Sequence, residues 1–160
     1  MSSLLSTRRA ILAGLTTSVI VGYPHHLRAQ TLPTVVVTKD PSCGCCSGWA
    51  DHIRAAGFPV EIRETSEVNR LKVKLGLPQA LASCHTAEVG GYVVEGHVPA
   101  DAIKRLLSEK PQATGLAVPG MPIGSPGMEV EGAAPDIYEV VLFGPRGPAT
   151  FARYQGLRAL

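Results

Sequence analysis

The sequence is short of cysteine, of aromatic residues and of charge. Of its 160 residues four are Cys, one Trp, four Tyr and three Phe, and 18% are charged. Against a hydrophobic content of 45%, so little charge excludes a disordered tail or a coiled coil. A chain of this length is one ordinary domain and buries a core without disulfide staples. No long apolar run is present: Ile11–Val21 is too short for a membrane span of about 20 residues. An excess of one charge is lacking as well. Three of the fifteen basic residues, Arg8, Arg9 and Arg28, precede residue 30, where there are no acids; the remaining twelve face thirteen acidic residues, a net charge of −1. A near-neutral body with scattered Lys and Arg argues against nucleic-acid binding. No internal repeat is present.

The first residues read as an address. Two adjacent arginines, Arg8 and Arg9, precede the apolar run, which is the layout of a secretory signal and points to the twin-arginine route. A cut after Ala29 is expected, although Leu27 stands where a small residue is preferred. Residues 1–29 are then a signal peptide and residues 30–160 the mature domain, working in the periplasm with no membrane attachment. His25 and His26 would leave with the leader. The twin-arginine route carries folded proteins, which suits a product whose reactive thiols need protection before export.

The body predicts an α/β domain. Val35–Thr38 is β-branched and reads as a buried strand. A helix is expected over Cys46–Ala56, with Trp49, Ile53 and Ala56 on one face, stopped by Gly57 and Pro59. Val60–Arg63 alternates as a strand, and Ser66 would cap a helix running to Leu75. Gly90-Gly91 reads as a hairpin turn between Thr86–Val89 and Tyr92–Glu95. Pro99 opens a helix to about Glu109. Tyr138–Phe143 and Thr150–Tyr154 are further strands. The order β-α-β-α-β-β-α is that of a thioredoxin-like fold, a central mixed sheet with flanking helices. The Gly/Pro-rich stretch before Tyr138 is too long for an ordinary connection and is expected to be mobile or functional.

The cysteines are few but clustered. Cys43-Gly44-Cys45-Cys46 places three thiols at the junction of a strand and a helix N-terminus, where free amides and the helix dipole favour thiolates. Three thiolates this close repel one another unless a cation or a disulfide neutralises them, and one disulfide cannot satisfy all three. Cys43 and Cys46 form a C-x-x-C pair; Cys45 and Cys46 would bridge only through a strained ring. The cluster suits a soft metal. The plainer alternative is a structural disulfide with spare thiols. In a thioredoxin-like topology Cys84-His85 lies on the loop facing that helix N-terminus, and offers a fourth soft ligand and an imidazole. Cys84 as a small buried apolar residue, or as a disulfide partner of the cluster, is the alternative there. His52, six residues after Cys46, is off its face and is at most an outer group. His97 is expected to be a surface or hydrogen-bonded residue rather than a ligand. Met121 and Met128 each follow a Pro-Gly pair in the loop Pro119–Met128, and are either soft ligands favouring Cu(I) over zinc or a lid over the site.

The motifs Cys43–Cys46, Ser83-Cys84-His85-Thr86-Ala87, Gly91–Pro99 and Gly115–Pro122 together resemble the CopG-type periplasmic metal-binding family, from about Thr34 to Phe143. The resemblance implies a thioredoxin-like fold, copper bound through Cys43, Cys45, Cys46 and Cys84, and a place in copper resistance beside other periplasmic copper-handling proteins. It also implies a multinuclear Cu(I)–thiolate site and copper redox chemistry. Two function classes follow: a Cu(I)-binding protein of copper tolerance, with zinc as the rival metal, and a thiol–disulfide oxidoreductase using Cys43 and Cys46 with Cys84 as resolving thiol. The third thiol and the methionine loop favour copper.

Overall fold

Along the chain run β1 (Val35–Lys39), α1 (Gly44–Ala55), β2 (Val60–Glu64), α2 (Val68–Lys74), a short 3-10 turn (Gln79–Leu81), β3 (His85–Val89) and β4 (Tyr92–Glu95). Then follow α3 (Ala100–Glu109), β5 (Gly115–Ala117), β6 (Ile137–Phe143), β7 (Ala149–Gln155) and β8 (Arg158–Ala159). This computed structural model describes residues 31–160, and the leader expected over residues 1–29 lies outside them.

The strands form one sheet in the order β2-β1-β3-β4-β5-β6-β7-β8. β1 and β2 are parallel across α1, and β1 and β3 are antiparallel. β3 and β4 form the expected hairpin, while β5 returns parallel to β4. The first four strands with α1, α2 and α3 make the expected thioredoxin-like arrangement, and β5 to β8 extend it on one side. Within α1 the buried residues Cys46, Trp49, Ala50 and Ile53 repeat at helical spacing. Of these, Trp49 and Ile53 pack with Ile103 and Leu106 of α3 against Val35, Val37, Ala87, Val89 and Val94. α1 and α3 therefore cover one face.

On the opposite face Lys72 of α2 reaches through to the sheet. Its Nζ lies 2.5 Å from Glu95 Oε1 and donates to Thr86 Oγ1 at 2.9 Å, while Thr86 donates to Glu95 Oε2 at 2.7 Å. The amide of Ser83 donates to the same carboxylate at 2.6 Å. Burying two charges is costly, and full pairing of this kind is what makes it tolerable. The network ties the chain just before Cys84 to the sheet.

Two features of the helices differ from the sequence reading. α1 starts two residues earlier than expected, so Cys45 and Cys46 both lie in its first turn. α2 begins at Val68 after Glu67, with no side-chain cap, so Ser66 does not cap it.

Candidate metal centre

The register of the sheet builds the centre. β1 and β3 pair with Lys39 opposite His85, so the loop after β1 and the residue before β3 leave the same end of the sheet. That loop carries Cys43 to the start of α1, and the residue before β3 is Cys84. The hairpin supplies a second constraint. Gly90 and Gly91 both have positive φ, the requirement of a two-residue turn matched to strand twist. The pairing that follows sets Thr86 opposite Glu95. Continued outward, it sets Cys84 opposite His97.

All four cysteines meet: their sulfurs lie within 4.8 Å of one another. Cys45 Sγ is 3.6 Å from Cys43 Sγ and 3.9 Å from Cys84 Sγ. A tetrahedral ion with metal–sulfur bonds of about 2.3 Å holds its sulfurs about 3.8 Å apart, so this donor set fits a thiophilic metal. Cys43 and Cys46 are joined as a disulfide, while Cys45 and Cys84 are free and half-buried. Burial first, and then Cys45 beside it, push the Cys84 thiol up to about 11.

The imidazoles correct part of the sequence reading. His97 is hydrogen-bonded, as expected, but it is fully buried rather than at the surface. Its Nδ1 donates to the carbonyl of Pro126 at 2.8 Å, and its Nε2 stands 3.1 Å from Cys84 Sγ. A carbonyl only accepts, so Nδ1 carries the proton and the Nε2 lone pair faces the sulfur. His85 is equally buried, with Nδ1 3.3 Å from Cys84 Sγ and its ring 4.5 Å from that of Trp49. Its Nε2 has no hydrogen-bond partner. Burial holds both rings below the usual imidazole range, and His97 adds to the effect on His85. Both are therefore neutral near pH 7, the form that ligates metals. Cys84, His85 and His97 form a second group whose donor atoms lie within 4.8 Å of one another. His52 stands apart from both groups: its Nε2 accepts the Ala100 amide at 3.1 Å, at the start of α3.

The methionine loop does reach the centre, through its backbone. A Cβ on Gly127 would lie 2.5 Å from the Trp49 nitrogen and 2.8 Å from the Cys45 carbonyl oxygen, so only glycine lets the loop lie this close to α1. Gly120 accepts a hydrogen bond from Ser83 Oγ next to Cys84. The side chain of Met121 is exposed and that of Met128 half-buried. Neither is placed on the sulfur cluster by any contact described.

Solved structures similar to this fold are named for copper resistance. Two solved structures of a copper resistance protein CopG, Form 1 and Form 2, are each 41% identical to the chain with a TM-score of 0.72. The aligned part covers 78% and 77% of this chain and 99% and 98% of theirs, respectively. The chain belongs to the CopG family. A family model described as a protein of unknown function, DUF411, matches residues 81–128, which carry Cys84, His85, His97 and the methionine loop. No curated protein matches. The cysteine cluster of this chain is a group that could hold a metal ion. Among the described residues no helix is long and apolar enough to cross a membrane.

Proposed function

We propose that this CopG family member is a periplasmic Cu(I)-binding protein of copper tolerance, exported by a twin-arginine signal over residues 1–29 and binding copper in residues 30–160. The observation that carries the proposal is the convergence of four cysteine sulfurs within 4.8 Å, three from one helix start and one from the facing loop. With the Cys43–Cys46 pair reduced, four soft thiolates stand close enough to bridge several Cu(I) ions, and soft thiolates select Cu(I). The metal is cargo, taken from the periplasm and sequestered or passed to other copper-handling proteins there. Cycling copper between its oxidation states belongs to the same reading, with the electron exchanged with such a partner. Met121 and Met128 are copper donors or a cover over the site, and the exposure of Met121 favours the cover.

One observation favours a second reading. Cys43 and Cys46 are joined across two intervening residues, the arrangement of a dithiol that cycles by thiol–disulfide exchange. A dithiol oxidoreductase would use that pair. Cys45→Ser separates the two readings, because it leaves Cys43 and Cys46 able to cycle while removing one cluster thiolate. We expect the variant to lose cluster copper and cellular copper tolerance. Unimpaired Cu(I) binding and tolerance, with disulfide-exchange activity that needs only Cys43 and Cys46, would instead make the protein an oxidoreductase.

A further inference from the structure

Four thiols leave two buried imidazoles beside them unexplained. His85 and His97 are fully buried, and each presents a ring nitrogen to Cys84 Sγ, at 3.3 Å and 3.1 Å. Packing alone does not call for histidine, since leucine would fill either space without desolvating two nitrogens. His85 Nε2 has no partner, a condition that protein interiors avoid. It stays unpaired whichever nitrogen carries the proton, so the ring is held at a cost that a ligand on Nδ1 would offset. His97 is already arranged as a ligand. Its Nδ1–H is held by the Pro126 carbonyl, which fixes ring and tautomer, and ligating histidines are oriented in this way. A tetrahedral ion with bonds of about 2.3 Å to sulfur and about 2.0 Å to nitrogen separates such atoms by about 3.5 Å. The two sulfur–nitrogen distances, 3.3 Å and 3.1 Å, would lengthen only slightly to admit one.

We propose that Cys84, His85 and His97 form a second metal site, one thiolate and two imidazoles, sharing only Cys84 with the four-thiol cluster. This donor set is less soft than four thiolates and suits a borderline divalent transition-metal ion such as Zn(II) or Cu(II). None of the three residues takes part in the Cys43–Cys46 disulfide. The second site therefore keeps all its donors when that disulfide closes, whereas the cluster loses two of its four. The protein then holds metal in both thiol states: Cu(I) on sulfur when reduced, a divalent ion on Cys84, His85 and His97 when the pair is joined. The proposal rests on the reading of Cys84 as a metal ligand.

Co(II) is the probe, because it does not oxidise thiols and its spectrum reports geometry and thiolate ligation. It is titrated into purified protein with Cys43 and Cys46 joined and two thiols still titratable. One equivalent should bind with the bands of a tetrahedral, thiolate-ligated ion. His97→Leu and His85→Leu should each weaken that binding by about tenfold or more. Should a leucine variant fail to fold, the Co(II)-loaded wild type gives the answer directly: two sets of hyperfine-shifted imidazole proton resonances are expected. Absence of Co(II) uptake by the disulfide form, or uptake with no shifted imidazole resonance, overturns the second site. A Cu(I) titration of the fully reduced protein, run beside it, reports on the cluster separately. Cu(I) uptake without Co(II) uptake removes the second site and leaves the cluster; Co(II) uptake without Cu(I) uptake does the reverse.

Discussion

With its thiol pushed up to about 11 by burial and by Cys45, Cys84 is protonated at neutral pH in the metal-free protein. A soft metal must displace that proton, so metal uptake at this residue releases acid. Site-resolved alkylation of the metal-free protein should show Cys84 reacting sluggishly at pH 8, with its rate rising toward a midpoint near 11. A midpoint near that of an ordinary thiol would mean the pocket is wetter than the structure shows. Residues also differ in how legible they were. The clustering of Cys43, Cys45 and Cys46 is plain in the sequence, and the turn that delivers Cys84 is nearly so. His97 was readable in principle: counting outward from Gly90-Gly91 places it opposite Cys84. Its burial was not, because that depends on Pro126, which arrives from 29 positions further along the chain.

Among the elements, α1 and α3 are joined where His52 receives the Ala100 amide, one of the donors that a helix start leaves without an internal partner. Only a neutral imidazole accepts this bond. Burial lowers the His52 pKa below 6.5, outweighing the opposite effect of Glu129 and Asp101. The sign follows: a depressed pKa contributes stability that is complete above pH 6.5 and is lost as pH falls through the folded value. His52→Ala should cost about 1 kcal/mol at pH 7.5, as for loss of a helix cap, and should flatten the fall in stability below about pH 6. Urea unfolding at several pH values measures both. Unchanged stability at pH 7.5 would show that the bond contributes nothing, and an unchanged pH profile that the His52 pKa is not depressed. The long strands and α1 announce themselves through β-branched runs and helical spacing. β5 does not, since it is three residues long and opens on Gly115, where a Cβ would sit 1.8 Å from the Val93 carbonyl oxygen. A strand selected for close approach lacks the bulky residues by which strands are recognised. It hides within the Gly/Pro-rich stretch, which the structure resolves into β5 and a loop folded back on α1.

For the whole molecule, the thioredoxin-like frame brings a helix start, a facing loop and a hairpin end to one edge of the sheet. The thiols meet only when β1, β3 and α1 are all in place, so the site exists only in the folded chain. The twin-arginine route proposed for this chain carries proteins that are already folded. Replacing Arg8 and Arg9 together with lysine should therefore leave the precursor in the cytoplasm, as read by cell fractionation. Normal periplasmic accumulation would remove that route from the account.

The most direct test of the central claim is an anaerobic titration of the fully reduced protein with Cu(I), in competition with zinc. We expect more than one Cu(I) per chain, bound in preference to zinc, with the absorption and emission of a copper–thiolate cluster. Stoichiometric zinc that Cu(I) does not displace would contradict it.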